Sequence, residues 1–282
     1  MTKRRARTAQ QRGGRQIGFI GGGNMARAMI RGLVGAGLYR ADQIVASDVD
    51  SACRQTLARR LRVRATADNS EVMRAAPVVV LAVKPQIIDG VLAGVRSDVT
   101  RRHVVVSIAA GVPTARLERG LGGYARVVRV MPNTPALLGK GMSVVVRGAH
   151  ATAADERLAV RLFRAVGQAL AVTDERWLDA ITGLSGSGPA YVYLFAEGLI
   201  AGAVAAGLPA ELATTLTFQT LVGAAAMLQE SGETPERLRA QVTSPGGTTL
   251  AGLTQLDRRG FKDTVTAAVV AATNRSVELG RG

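Results

Sequence analysis

Along the first half of the chain, short and mostly apolar runs alternate with stretches whose apolar positions recur at helical spacing. The runs Gln16–Ile20, Gln43–Ser47, Val78–Val83, Val104–Ile108, Ala125–Met131, Ser143–Arg147 and Ala169–Thr173 have strand length, and most are rich in β-branched residues. Val78–Val83 has no polar position, as suits a strand covered on both faces. Between the runs, Met25–Ala36, Ser51–Arg60 and Ala154–Val166 read as helices. Strands alternating with helices predict a parallel sheet with helical crossovers.

Beyond Thr173 the alternation stops. Long Ala-, Leu- and Gly-rich helices are predicted at Glu175–Leu184, Pro189–Ala206, Pro209–Ser231, Pro235–Val242, Thr248–Arg259 and Lys262–Gly280. Proline or glycine punctuates their breaks, where helix starts and stops favour them. The change places a boundary near Asp174, with an α/β domain over 16–173 and an all-helical one over 174–282. Helices lined by small residues pack closely but bury little area each, so a single layer of them makes a poor core. Interlocking with a second copy is the natural remedy.

Cysteine and histidine counts narrow the chemistry. Cys53 is the only cysteine, and His103 and His150 are the only histidines. An intrachain disulfide is therefore excluded and no Cys/His set for zinc exists. A lone thiol fits a reducing cytoplasm, which is the expected location. The net charge is +15, of which residues 1–15 carry +6 without an acid and read as a disordered basic tail. The remaining excess is scattered arginine, and aromatic residues make up only 4% of the chain. No stacking platform accompanies the charge, so no specific nucleic acid is expected as a partner. No apolar core of signal-peptide length lies in the N-terminal tail. The apolar stretch Gly188–Leu208 contains Pro189, Glu197 and several glycines, and it lacks flanking cations. It predicts a buried helix, with no membrane as partner.

Ile17–Ile20 runs straight into Gly21–Gly22–Gly23–Asn24–Met25–Ala26, a G-x-G-x-x-A motif between a predicted strand and a predicted helix. Gly21 allows the tight turn, Gly23 lets a pyrophosphate approach the backbone, and Ala26 permits close helix–strand packing. The helix start offers its N–H groups to the phosphates. Asp48 closes the second strand at about the distance where a dinucleotide fold places its ribose-binding acid. Together these features predict an α/β Rossmann-like N-terminal domain followed by an all-α C-terminal domain, and an NAD(P)-dependent oxidoreductase. Leu81–Gln86, Ser107–Gly111 and Met131–Pro135 also follow strands and line the same carboxyl edge, with Lys84 in position to approach cofactor phosphate or ribose. In the helical half, Leu184–Tyr191 and Val242–Thr249 are hydroxyl- and glycine-rich loops leading into helices. Such a start suits a small carboxylate, and it equally serves capping and close packing.

In Phe19–Ala26, Ala82–Gln86, Val130–Ala136, Asp179–Tyr191 and above all Val242–Gly252, the chain resembles the pyrroline-5-carboxylate reductases. The resemblance runs over about residues 16–280. It implies hydride transfer from NADPH, with NADH as the alternative, to the C=N bond of 1-pyrroline-5-carboxylate, giving L-proline. It also implies that Gly21, Gly23, Asn24, Met25, Ala26, Ser47, Asp48 and Asn69 hold the adenosine and phosphate part of the cofactor. Ala82, Val83, Lys84, Ser107 and Ala109 would lie along the nicotinamide side, with Asn133 on the same edge. Ser244, Gly246, Gly247, Thr248 and Thr249 would take the substrate carboxylate, and Thr249 would reach the ring nitrogen as the catalytic residue. The C-terminal domain would dimerise, in the intertwined manner of a family in which larger assemblies are common. One departure is Ala201, where the family often carries a second acid after Glu197, and the basic tail has no counterpart. A related imine or hydroxyacid dehydrogenase on this plan would typically carry a lysine in the long inter-domain helix, and Tyr191–Leu208 has none.

Overall fold

The alternation of side chains along the strands builds two cores, one on each face of a single sheet. In β4 (Val78–Leu81) and β5 (Val104–Ser107), Val78, Val80, Val104 and Val106 enter one apolar cluster. Val79, Leu81 and Val105 enter the other. The sheet continues with β1 (Ile17–Ile20), β2 (Ile44–Ser47), β3 (Arg64–Thr66), β6 (Arg126–Pro132), β7 (Gly141–Arg147) and β8 (Gly167–Ala171). Its order is β3-β2-β1-β4-β5-β6-β7-β8. A computed structural model describes residues 16–281, and the basic tail at 1–15 lies outside the described residues.

All neighbouring strands are parallel except β6 and β7. The predicted parallel sheet holds but for this one pair, because residues 133–140 are too few for a crossover. They form instead a short 3-10 turn at Thr134–Leu138, closed by Gly139 in the left-handed region. Helices α1 (Asn24–Gly35), α2 (Ser51–Arg60) and α6 (Ala153–Phe163) match the predicted segments closely. Strand β3 and helices α3 (Asn69–Ala75), α4 (Ile88–Val95) and α5 (Thr114–Gly120) were not legible, each being too short to establish a period. Phe19, Met29, Ile30, Leu33 and Phe163 fill one face of the sheet, and Ile88, Leu92 and Leu117 help fill the other.

The described chain falls into two compact units, one running to Gly186 and including the chain end from Ala272, the other spanning Ser187–Ala271. This division lies beyond Asp174, where the hydrophobic pattern changes. The reason is that α7 (Trp177–Ile181) stays on the sheet: Leu178 is fully buried against Val144 and Val146 of β7. Just before it, Glu175 accepts from the Thr114 backbone N–H at 2.8 Å and hydroxyl at 2.6 Å, and pairs with buried Arg129 at 2.9 Å. The second unit holds α8 (Gly188–Ala205), α9 (Ala210–Glu230), α10 (Pro235–Gln241), α11 (Thr248–Arg258) and the first part of α12 (Phe261–Arg281).

The expected burial of the Gly188–Leu208 helix is not met within one chain. Only Ala196 of α8 is buried, because α9 and α12 cover the helix incompletely. Tyr193, Leu194, Phe218 and Val222 are all more than half exposed. Among the described residues, one helix, Trp177–Ala205, is long and apolar enough to cross a membrane.

Removing one partner of a buried ion pair leaves the other charge uncompensated. Glu175→Ala should therefore destabilise the sheet unit by about 3 kcal/mol, read as a lowered urea midpoint, while Glu175→Gln, which keeps one acceptor oxygen for the Thr114 N–H and sets an NH2 donor against a hydroxyl that can accept, should cost less.

Candidate active site

The ends of β1, β2 and β4 are stitched together at their carboxyl edge. Gly21 donates its N–H to Ser47 O of β2 at 2.8 Å, and Ala82 donates to Ile20 O of β1 at 2.8 Å. Gly21 has φ +98°, and a Cβ there would meet the Ala82 carbonyl oxygen at 2.5 Å. Only glycine makes this turn.

The loop then opens outward. Gly23 is the N-cap of α1, no side chain caps that helix, and its first turn carries no acid. A Cβ built at Gly23 meets nothing within 4 Å. The N–H groups of this first turn thus face an open cradle suited to an anion, and the residues present fit the pyrophosphate of a dinucleotide. Asn24 is exposed, with Oδ1 accepting from Arg27 at 2.7 Å. Met25 is half-buried and Ala26 fully buried, both packed into the core beneath the loop.

Asp48 follows β2 directly. Its Oδ2 accepts from Gly22 N–H at 2.8 Å and its Oδ1 from Asp50 N–H at 2.9 Å. Burial pushes this carboxyl up, but the two N–H groups, the Cys53 thiol and the Arg54 charge outweigh it and hold Asp48 below the usual range. Cys53 donates to Gly22 O at 2.9 Å, and burial together with Asp48 pushes its thiol up. Gly22 and Cys53 were not among the predicted site residues. Gly22 sat in the motif as a variable position, and the Cys53 contact spans a separation no local pattern reveals.

Two predicted cofactor residues lie behind the groove instead of lining it. Ser47 is fully buried, its hydroxyl donating to Asn69 Oδ1 at 2.6 Å, which fixes the Asn69 amide at the start of α3. Ser107 is fully buried too, its Oγ accepting from Ala109 N–H at 3.3 Å, and Ala109 is itself nearly buried. Ala82 and Val83 are half-buried and Lys84 exposed at the turn before Pro85. Asn133 is committed within its own unit: its Nδ2 donates to Ser185 O at 3.2 Å and its Oδ1 accepts from Met142 N–H at 2.8 Å.

In the second unit, the predicted substrate loop forms a tight turn. Gly247 donates to Ser244 O at 3.0 Å, and Gly246 has φ +69°. Gly247 is the N-cap of α11 without a side-chain cap, so this helix start also presents unbonded N–H groups. Ser244, Gly246 and Thr248 are exposed, Gly247 and Thr249 half-buried. Thr243 and Thr254 spend their hydroxyls on Arg239 O and Leu250 O. The Thr249 hydroxyl has no such partner among the described residues.

Comparison with known proteins agrees with both halves. Residues 175–279 match the family described as pyrroline-5-carboxylate reductase dimerisation, and residues 16–111 the one described as NADP oxidoreductase coenzyme F420-dependent. The chain is 43% identical to a pyrroline-5-carboxylate reductase of Pisum sativum, covering 93% of this chain and 95% of that one. A solved pyrroline-5-carboxylate reductase from Coxiella burnetii superposes with a TM-score of 0.87 at 38% identity, covering 94% and 98%. One from Plasmodium falciparum, solved with NADP bound, superposes at 0.85 with 32% identity over the same shares.

The open space at Gly23 separates fold from binding. Gly23→Ala should leave the melting temperature nearly unchanged while raising the Kd for NAD(P)H about tenfold, or ~1.4 kcal/mol. Gly21→Ala should instead destabilise the fold, since its Cβ meets backbone.

Proposed function

The chain belongs to the pyrroline-5-carboxylate reductase family, and from that premise we propose that it reduces 1-pyrroline-5-carboxylate to L-proline with NAD(P)H. The single observation that carries this reading is the Val242–Thr249 loop, where an uncapped helix start and an uncommitted threonine hydroxyl occur together. The loop's N–H groups receive the substrate carboxylate, and the α11 dipole favours that charge by about 0.3–1 kcal/mol, up to roughly 2 when partly buried.

The glycine cradle would hold NAD(P)H by its pyrophosphate, and the bound cofactor would supply the hydride from its dihydronicotinamide. A protonated cyclic imine is already an electrophile, so the chain's task is positioning more than acid catalysis. The Thr249 hydroxyl accepts from the protonated ring nitrogen and orients it. A threonine hydroxyl is too weak an acid to be the proton source, so the proton arrives with the substrate from solvent.

The second unit completes itself by pairing with another copy. Support comes from the dimerisation family matched by residues 175–279 and from the exposed Tyr193, Leu194, Phe218 and Val222. On this reading the second copy supplies the cover that α8 lacks, and it completes the substrate pocket. The enzyme acts in the cytoplasm, in keeping with its single free cysteine.

Three measurements check the proposal. Purified protein should oxidise NAD(P)H when the imine is added and not before. Thr249→Val should lower kcat/KM for the imine about tenfold, or ~1.4 kcal/mol, with the Kd for NAD(P)H unchanged. Gly247→Ala is the poorer probe, because its Cβ would collide with the Ser244 hydroxyl and disturb the turn itself. Leu194→Asp combined with Val222→Asp should reduce the mass found by light scattering toward the 29.4 kDa of one chain.

A further inference from the structure

We propose that the turn between β2 and α2 selects the dinucleotide with a free 2′-hydroxyl, so that this chain uses NADH in preference to NADPH, with Asp48 as the determinant. The inference rests on the reading that the glycine cradle binds NAD(P)H, and it reverses the order that family resemblance gives.

In a dinucleotide fold the adenosine ribose lies at the end of the second strand. A carboxylate there accepts from the 2′-hydroxyl and repels a 2′-phosphate. Asp48 holds that position rigidly. Its backbone N–H donates to Thr66 O of β3 at 3.1 Å, and its two carboxylate oxygens are bound by Gly22 and Asp50 N–H groups. Swinging the side chain away to admit a phosphate would leave both donors without their partner. These bonds also outweigh the effect of burial and hold the Asp48 carboxyl below its ordinary range. A carboxylate has about four acceptor positions, so two N–H bonds leave room for a ribose hydroxyl.

A 2′-phosphate would need cations to offset this charge, and the neighbouring arginines each spend a guanidinium nitrogen on oxygens of the chain itself. The guanidinium acting on Asp48 is that of Arg54, whose Nη1 donates to the carbonyl oxygens of Asp48 and Val49 at 2.9 Å each. That bond lashes Arg54 to the turn's own backbone. Arg27, the other arginine close to this loop, is bonded to Asn24. A second carboxylate, Asp50, caps α2 through Ala52 N–H at 2.9 Å. Between the two acids stands Val49, 89% exposed, an apolar surface of the kind an adenine ring packs against.

The test is direct binding, followed by nicotinamide fluorescence, of NADH and NADPH to wild type, Asp48→Ser and Asp48→Asn, with kcat/KM for both cofactors measured in parallel. Wild type should bind NADH at least tenfold more tightly than NADPH. Asp48→Ser should narrow or invert that ratio by about tenfold, chiefly by strengthening NADPH. Asp48→Asn keeps an acceptor for Gly22 and removes the charge, so it reports on selectivity even if the serine variant weakens the loop. Equal or tighter binding of NADPH by wild type would overturn the proposal while leaving the reductase reading intact. An unchanged ratio in a folded Asp48→Asn would also overturn it, making Asp48 a strut for the glycine loop only. Failure of wild type to bind either nucleotide would remove the reductase reading itself, and this proposal with it.

Discussion

At Gly21 three parallel strands converge, and the site is built outward from that point. The Gly21 N–H is held by β2 through Ser47, while β4 closes from the other side through Ala82 and Ile20. No side chain fits between them. Because the strand ends are locked, the direction of α1 is locked, and its first-turn N–H groups stay unsatisfied and pointed at open space. An anion cradle of this kind needs no charged side chain. Its strength comes from donors that the fold has oriented in advance and cannot satisfy internally.

Asp48 belongs to the same construction. Its carboxylate takes the Gly22 N–H, so the glycine loop and the β2–α2 turn hold each other in place. Cys53 adds a second tie through Gly22 O. A residue used this way serves two ends at once, since the bonds that fix the loop also fix a negative charge at the end of β2, where we propose that the cofactor ribose arrives. The serines nearby act more quietly: Ser47 sets Asn69, and Ser107 sets the backbone after β5, both from full burial.

How much of this was legible in the sequence depended on length and on distance along the chain. The glycine motif, Asp48 and the long helices were legible because each is a local pattern of sufficient extent. Val242–Thr249 stood out because hydroxyls and glycines concentrate at a helix start. β7 was legible as a strand but its antiparallel direction was not, because direction is set by the length of the connection, and β3, α3, α4 and α5 were missed because three to eight residues establish no period. The hydropathy of Gly188–Leu208 pointed to a buried helix, yet burial depends on what covers a helix, and within one chain Ala196 is the one buried residue of α8. Ser47, Ser107 and Asn133 show a further limit. Sequence placed them at the carboxyl edge, but which way each hydroxyl or amide turns is decided by partners such as Asn69, Ala109 and Ser185, far off in the chain or invisible to any motif.

The central claim, that glycine cradle and threonine loop serve one imine reduction, is tested most directly by isotope transfer. The protein is incubated with 1-pyrroline-5-carboxylate and NAD(P)H deuterated at the transferring carbon of the nicotinamide, and the product is read by mass spectrometry. L-proline should carry one deuterium on the carbon that had been part of the C=N bond, with the label lost from the cofactor. Unlabelled proline, or no proline while the cofactor keeps its deuterium, would contradict the claim.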